Sequence, residues 1–250
     1  MVAEPSVVLI VGGAAGIGKA AAEDRLKKGD KVVFTDINEA VGKQLMEQWQ
    51  AQGYSATFIQ QNVTSWTDTE KVAAKTIDMY GRIDILIVSA GVTSQQRLED
   101  ITYKQWCFTL DVNLTGLFYS LKAVIPEMIR NGGGNIVIVG SGSAITGSGG
   151  GIHYATSKGG AFGLMRAVAD QFSDQGIHIN LVAPRVIATE MLDVLYPTEE
   201  AREELRQKIP IKQLGTLEDT TNAINFLASE ASRYMQAQVM LIDGGRTYLT

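Results

Sequence analysis

Tyr154 and Lys158 are the residues of this chain best suited to move a proton. Four positions apart in a helix, two side chains stack on one face. An ammonium placed there favours a phenolate and lowers a phenol pKa that is otherwise about 10. A tyrosine tuned that way exchanges a proton with an alcohol or carbonyl oxygen near neutral pH. The spacing alone specifies little, because the chain has 8 tyrosines in 250 residues and an exposed Tyr–Lys pair is ordinary on a helix. Ser141 lies upstream and can donate to a substrate oxygen on which negative charge grows. Ser143, two residues on, either lines the same pocket or only bonds its own loop. His153 is turned about 100° from the Tyr154 face and reads as rim or backing rather than as a base. His178, at the start of a strand-like run, reads as structural.

A second group sits near the N-terminus. An apolar run leads into Gly12-Gly13-Ala14-Ala15-Gly16-Ile17-Gly18, and a helical pattern follows. Glycines permit a tight turn and close approach of backbone to phosphate, and the helix start offers free N–H groups and a positive dipole end. A pyrophosphate is the natural guest. The next strand ends at Asp36, whose carboxylate can accept from both hydroxyls of an adenosine ribose and would repel a 2′-phosphate. Ile37 and Asn38 bring no positive charge, nor does Ala15 in the loop, so NAD is expected over NADP. Asn38 is the better cap for the helix behind.

These groups need a frame. Val7–Val11, Lys31–Thr35, Ala56–Gln60, Ile83–Val88, Asn135–Val139, His178–Val182 and Val239–Ile242 read as strands rich in Val and Ile. Several lack polar alternation, the mark of strands buried on both faces in a parallel sheet. Amphipathic segments lie between them near 17–28, 39–52, 67–80, 102–130, 155–175 and 218–229. The alternation predicts an α/β fold, a Rossmann-type doubly wound parallel sheet of about seven strands with helices on both faces. One domain is expected over residues 1–250, with no linker or repeat. Residues 185–215 break the rhythm, with short helices expected from Thr189 to Leu195 and Glu199 to Lys208 around Pro197. Placed after a strand's carboxyl end, this insertion is either a substrate lid or a packing flap. Met191, Leu192 and Leu195 are its candidate substrate contacts. The glycine-rich run from Gly147 to Gly151 either widens the pocket or is only a loose approach to the tyrosine helix.

Composition narrows the class. A net charge of −5 and no basic run argue against nucleic acid as a partner. No apolar stretch approaches a membrane span, and the first residues lack a signal peptide's basic start. One cysteine, Cys107 between Trp106 and Phe108, excludes an intrachain disulfide and reads as a packed thiol. A reducing, cytoplasmic setting is expected, and no metal site is read from the residues.

Taken in order, these motifs resemble the short-chain dehydrogenase/reductase family over essentially the whole chain. Gly12, Gly16 and Gly18 match its glycine loop, and Ser89-Ala90-Gly91 resembles the second half of its N-N-A-G segment. Asn113, in Asp-Val-Asn-Leu-Thr-Gly, resembles its active-site asparagine, and Asp243-Gly244-Gly245 its C-terminal strand motif. The spacing of Ser141, Tyr154 and Lys158 also matches. The resemblance implies that Tyr154 acts as acid or base and Lys158 holds the nicotinamide ribose. It implies that Asn113 holds a helix bend and a relay water. Asn62, followed by Val63, stands where an aspartate often faces the adenine amine, and its amide oxygen could take that bond. Pro184, Val186, Ile187 and Thr189 fall in the loop that lies beside the nicotinamide. The chain departs from the pattern at Val11, Ser89 and, most sharply, Arg185, where the family usually has glycine. Arg185 could reach an anionic substrate or a cofactor phosphate, or point to solvent. Polar residues Ser94, Gln95, Ser143, Thr146 and Ser148 lean toward a sugar or polyol as the small-molecule substrate. Alternatives are simple or bulky ketones, a 3-oxoacyl substrate, and a non-catalytic dinucleotide-binding scaffold. A homotetramer is implied through the helices near 102–130 and 155–175. The faces Leu114, Leu117, Leu121 and Phe162, Leu164, Val168 fit that, and equally fit packing onto the sheet.

Overall fold

In the computed structural model, residues 4–189, 192 and 196–249 are described. Seven strands form one sheet in the order β3-β2-β1-β4-β5-β6-β7. They are β1 Val7–Val11, β2 Lys31–Asp36, β3 Ala56–Gln60, β4 Ile85–Val88, β5 Gly134–Val139, β6 Ile177–Pro184 and β7 Val239–Ile242. Every neighbouring pair is parallel. All residues of β1 and β4 are buried, which is why these runs show no polar alternation. Alternate residues serve opposite faces. Leu9 and Val11 join one hydrophobic cluster, while Val8 and Ile10 join the other.

Helices cover both faces. The helices α1 (Gly16–Lys27), α2 (Glu39–Ala51) and α9 (Leu217–Leu227) pack against the Val8 side through Leu26, Trp49 and Ile224. On the Leu9 side lie α3 (Trp66–Tyr80), α5 (Gly116–Arg130) and α7 (Gly151–Phe172), through Val72, Leu121 and Met165. This is the expected doubly wound architecture. Leu117, Leu121 and Val168 lie inside the core, and Phe162 and Leu164 pack partly buried against it, so those faces serve the sheet. Leu114 meets Gly160 of α7.

Several boundaries differ from expectation, and the differences bear on the site. β6 runs on to Pro184, and β2 includes Asp36, so both residues sit at strand tips. β4 begins at Ile85 rather than at Ile83. The stretch expected as one long helix is α4 (Tyr103–Leu110), a wide π turn (Asp111–Thr115), then α5. A short helix, α6 (Ser143–Thr146), had no strong sequence signal. α7 starts at Gly151, earlier than expected, which puts Tyr154 in its first turn. In the insertion, α8 spans Glu199–Gln207, capped by Thr198. Most of the helix expected from Thr189 to Leu195, with Met191 and Leu195, lies outside the described residues. The insertion is pinched at its base, where Ala188 N–H donates to Gly215 O at 2.8 Å and Gly215 N–H to Val186 O at 3.0 Å.

No helix among the described residues is long and apolar enough to cross a membrane. Cys107 is half-buried, as expected.

Candidate active site

A cleft of about 710 Å³ runs along the carboxyl ends of the strands. Its size falls within the range of small-molecule and cofactor sites. One end is lined by Gly12, Ala15, Gly16, Ile17, Asp36 and Ile37, and the other by Ser141, Tyr154, Lys158, Arg185 and Tyr196. Open-sheet proteins bind ligands where strand order reverses, and here that point lies between β1 and β4.

The glycine-loop end suits a dinucleotide. Ala15 caps α1 without a side-chain acceptor, so the first N–H groups of a 12-residue helix have no side-chain cap at the cleft. A side chain on Gly16 would meet nothing within 4 Å, whereas one on Gly18 would strike Gly12 O at 1.9 Å. Gly18 therefore does not line the cleft; its smallness lets α1 rest on the loop. Asp36 braces this end, accepting from Ala14 N–H at 3.3 Å and Asn38 N–H at 3.1 Å. Asn38 caps α2 through Val41 N–H, as expected. Gln61 was not singled out from sequence. It lies buried beneath this end, taking the Thr35 hydroxyl at 2.6 Å. Asn62 and Val63 line the cleft, but Asn62 Oδ1 already accepts from the Thr64 amide at 3.1 Å and the Thr64 hydroxyl at 2.9 Å. The amide oxygen read as facing adenine is thus committed to its own turn. These residues fit an adenine dinucleotide: free helix N–H groups, a loop without side chains, and a carboxylate at ribose reach.

At the other end, α7 brings Tyr154 and Lys158 to one side, with Lys158 Nζ 5.9 Å from the Tyr154 ring centroid. The expected electrostatics are corrected here. Tyr154 is half-buried in the cleft wall, and desolvation is the leading influence on its phenol, pushing the pKa up; a hydrogen bond from Ser141 pulls it partly back. Lys158 is itself buried, and desolvation lowers its pKa to about 8. Lys158 Nζ donates to Val139 O at 2.9 Å, which holds it at the tip of β5. Ser141 follows that strand and accepts from Ser143 N–H at 3.1 Å. Ser143 also reaches the cleft wall.

Asn113 stands behind the cleft, not on it. Its Oδ1 accepts from Val92 N–H at 2.8 Å, and its Nδ2 donates to Val92 O at 2.9 Å and Ser157 Oγ at 3.0 Å. It therefore ties the loop after β4 to α7 across the π turn that presents it. π turns of this kind often mark functional positions. Ser89, Ala90 and Gly91 line the cleft below that loop, as do Pro184, Val186, Ile187 and Thr189. Val186 holds a φ of 62°, unusual for a β-branched residue, and forms the exit of β6 into the insertion.

His153 is fully buried and bonded through Nε2 to Ser94 Oγ at 2.8 Å, so it is packing rather than rim. Burial lowers its pKa and keeps the ring neutral. That bond uses up Ser94, and Thr146 bonds Ser148, so of the polar group expected around the substrate only Gln95, Ser143 and Ser148 reach the wall. Arg246, Tyr196, Leu192, Val92 and Phe108 also line the cleft. Arg246 follows the Asp243-Gly244-Gly245 turn and is carried here by β7, a long-range consequence that no local pattern reveals. Among the described residues, no group of three or more His, Cys, Asp or Glu could hold a metal.

A family model described as enoyl-(acyl carrier protein) reductase matches residues 12–247. An uncharacterised oxidoreductase of Thermotoga maritima is 36% identical over 245 residues, covering 96% of this chain and 97% of the relative. A 3-oxoacyl-(acyl-carrier-protein) reductase FabG of the same organism is 36% identical over 242 residues, covering 97% and 98%. Among solved structures, a short-chain type dehydrogenase/reductase from Mycobacterium ulcerans matches with a TM-score of 0.92 at 25% identity, covering 97% of this chain and 90% of that one.

Proposed function

This chain belongs to the short-chain dehydrogenase/reductase family and is an oxidoreductase of that type, and from that premise we propose that it passes a hydride between NAD(H) and a secondary alcohol or ketone, with a sugar or polyol as substrate. The reading rests on one observation: Ser141, Tyr154 and Lys158 face the same cleft whose far end holds the glycine loop and Asp36. Asp36 supports NAD over NADP, since a 2′-phosphate would meet a carboxylate with no basic residue beside it on Ile37 or Asn38.

The bound nicotinamide supplies the hydride. Ser141 donates to the substrate oxygen and steadies the charge that grows there. Tyr154, held protonated by burial, gives its proton to that oxygen in reduction and takes one back in oxidation. Lys158 has ammonium hydrogens to spare beyond its bond to Val139, and these serve the ribose hydroxyls. Asn113 keeps the loop at Val92 and the helix at Ser157 in register, which fixes where Tyr154 stands. The insertion is read as a lid over the substrate, on the ground that Leu192 and Tyr196 line the cleft from it. A reducing, cytoplasmic setting fits the lone thiol.

A second reading is favoured by the activity for which a 36% identical relative is named: reduction of a 3-oxoacyl group on an acyl carrier. The test is NADH against NADPH oxidation over keto sugars, simple and bulky ketones and 3-oxoacyl thioesters. Turnover of keto sugars with NADH is expected. Turnover confined to NADPH and 3-oxoacyl thioesters would hand the protein to the second reading. Tight NADH binding with no turnover at all would leave a dinucleotide-binding scaffold.

A further inference from the structure

Arg185 follows Pro184 at the tip of β6, where the chain turns into the insertion. Its stem lies across Gly142, and a Cβ built on that glycine would meet the arginine's Cβ and Cδ at 3.2 Å. Gly142 N–H donates to Pro184 O at 3.1 Å. The strand tip therefore holds the peptide next to Ser141 through backbone and side chain alike. Beyond Gly142 the guanidinium reaches the loop into α7, where Nη2 donates to Ser148 Oγ at 2.8 Å. Nη1 makes longer bonds of 3.4 Å to Arg246 O and Thr247 Oγ1. Asp243 shapes that turn, accepting from the Gly245 and Thr247 N–H groups at 2.9 and 2.8 Å. Burial and Arg246 work against the charge on Arg185, while Asp243 and Tyr196 favour it.

The loop that Nη2 grips is nearly bare. From Gly147 to Gly151, Ser148 is the one residue with a side chain. The four glycines hold φ between 69° and 92°, and glycine leaves such a conformation at little cost. Thr146 shares a 3.0 Å bond with Ser148, and Thr93 Oγ1 donates to Gly150 O at 3.3 Å. Ser148 is exposed, so its bond to Arg185 competes with water. Two things favour the bond: its donor is charged, and a stem already packed on Gly142 has less rotamer freedom left to lose. The loop in turn backs the phenol, since a Cβ on Gly150 would lie 2.5 Å from Tyr154 Cδ1. A shift of Ser148 passes through two peptides to that ring.

We propose that Arg185 is a positioning residue, which clamps Gly142 under its stem and Ser148 under its guanidinium and so fixes where Ser141 and Tyr154 stand. It serves the reaction without touching the substrate. This deepens the dehydrogenase reading and rests on it for the role of Tyr154.

The test reads Tyr154 directly. Full-length protein is titrated with alkali by ultraviolet difference against the same protein carrying Tyr154→Phe, which isolates that one phenol. It should titrate above pH 10 in the wild type. Arg185→Met leaves a stem on Gly142, and Ser148→Ala leaves Arg185 itself. Each should loosen the loop, admit water to the ring and lower the titration by about half a pH unit or more. The double variant should go no further than either single one, because both remove one bond. Arg185→Lys should keep part of the effect. For any ketone or keto sugar that the wild type reduces, kcat should fall about tenfold in both single variants, with NADH affinity unchanged. An unshifted titration in both single variants, shifts that add in the double variant, or an unaltered kcat beside an active wild type overturns the proposal. Should Arg185→Met fail to fold, Ser148→Ala decides alone. A wild type that turns over no carbonyl compound, with a titration that still depends on Arg185 and Ser148, upholds the clamp and refutes the dehydrogenase reading instead.

Discussion

Burial decides the chemistry of the Tyr154–Lys158 pair more than their mutual attraction does. A phenol pushed above its ordinary range is a proton donor at rest, which suits reduction. Oxidation needs the phenolate, so alcohol oxidation should keep climbing with pH through the alkaline range while carbonyl reduction stays nearly flat below the ordinary phenol pKa, and Tyr154→Phe should lose about 10²–10⁴-fold in both. Initial rates in the two directions check this; identical pH profiles would refute it. Lys158 has a stability consequence with a definite sign. Its pKa falls from 10.5 to about 8 on folding, so the unfolded chain binds the proton more readily. The penalty is full below about pH 8, shrinks as pH rises and is gone above about 10.5. Lys158→Met without cofactor should therefore be more stable than wild type at pH 7, by about 3 kcal/mol less the lost bond to Val139, and melt correspondingly higher. The gap should close toward pH 10.5. Thermal melts across that range read the effect directly; a gap independent of pH would mean that the ammonium is not penalised by burial. The residue types and spacing of this site were legible in the sequence. The direction of the phenol shift was not, because it depends on how much protein surrounds the hydroxyl.

Two elements position the site, and each can be tested as an element. The loop into α7 turns at Gly150, with φ +92°, and a Cβ there would lie 2.5 Å from the Tyr154 ring and 2.6 Å from Thr93 Oγ1. Gly150→Ala should displace the tyrosine and lower kcat by about tenfold to a hundredfold, because misplacements near 1 Å are that costly. NADH affinity should change little, the melting temperature should fall by about 2–4 °C because alanine is strained at that φ, and an unaltered kcat would show that the ring has room to spare. The insertion offers the second test. Its neck is closed by the bridge between Ile187 and Gly215. As a lid it should be cut by trypsin within Glu199–Gln207, at Arg202 or Arg206, and be protected when NADH and substrate are both present. Cleavage at the same rate with and without ligands would identify a packing flap. Strand positions were read from sequence to within two residues, since buried parallel strands advertise themselves as apolar runs. The π turn at Asp111–Thr115 was hidden, because one extra residue in a helical turn leaves the apolar pattern on either side nearly intact. The commitment of Asn62 to Thr64 was hidden too, as turn bonds of that kind depend on backbone shape.

For the molecule as a whole, the helix faces once considered for assembly are largely consumed by the sheet, yet apolar side chains remain outside. Tyr103 is 83% exposed and Phe108 55% on α4, Phe118 is 44% exposed on α5, and Tyr248 and Leu249 are 74% and 75% exposed near the C-terminus. Sedimentation equilibrium should find a tetramer, and Phe108→Glu with Phe118→Glu should shift it toward smaller species without unfolding the protomer; a monomeric wild type would rule the assembly out. The α/β class was legible because its rhythm is global. Arg246 and Tyr196 at the substrate end were not, because only the closed sheet and the returning insertion carry them there. The strand order also sets a schedule for how the protein is made. β1 pairs with β2 on one side, but its other neighbour is β4, where Val8 meets Ile85 and Val11 meets Val88. With every strand parallel, no hairpin can close an edge early. During synthesis this wholly buried strand thus waits with one side bare until residue 88 has emerged. A nascent chain paused before that point presents unpaired backbone on a strand whose side chains are all apolar to its neighbours on the polysome, which is where chaperones would be needed most.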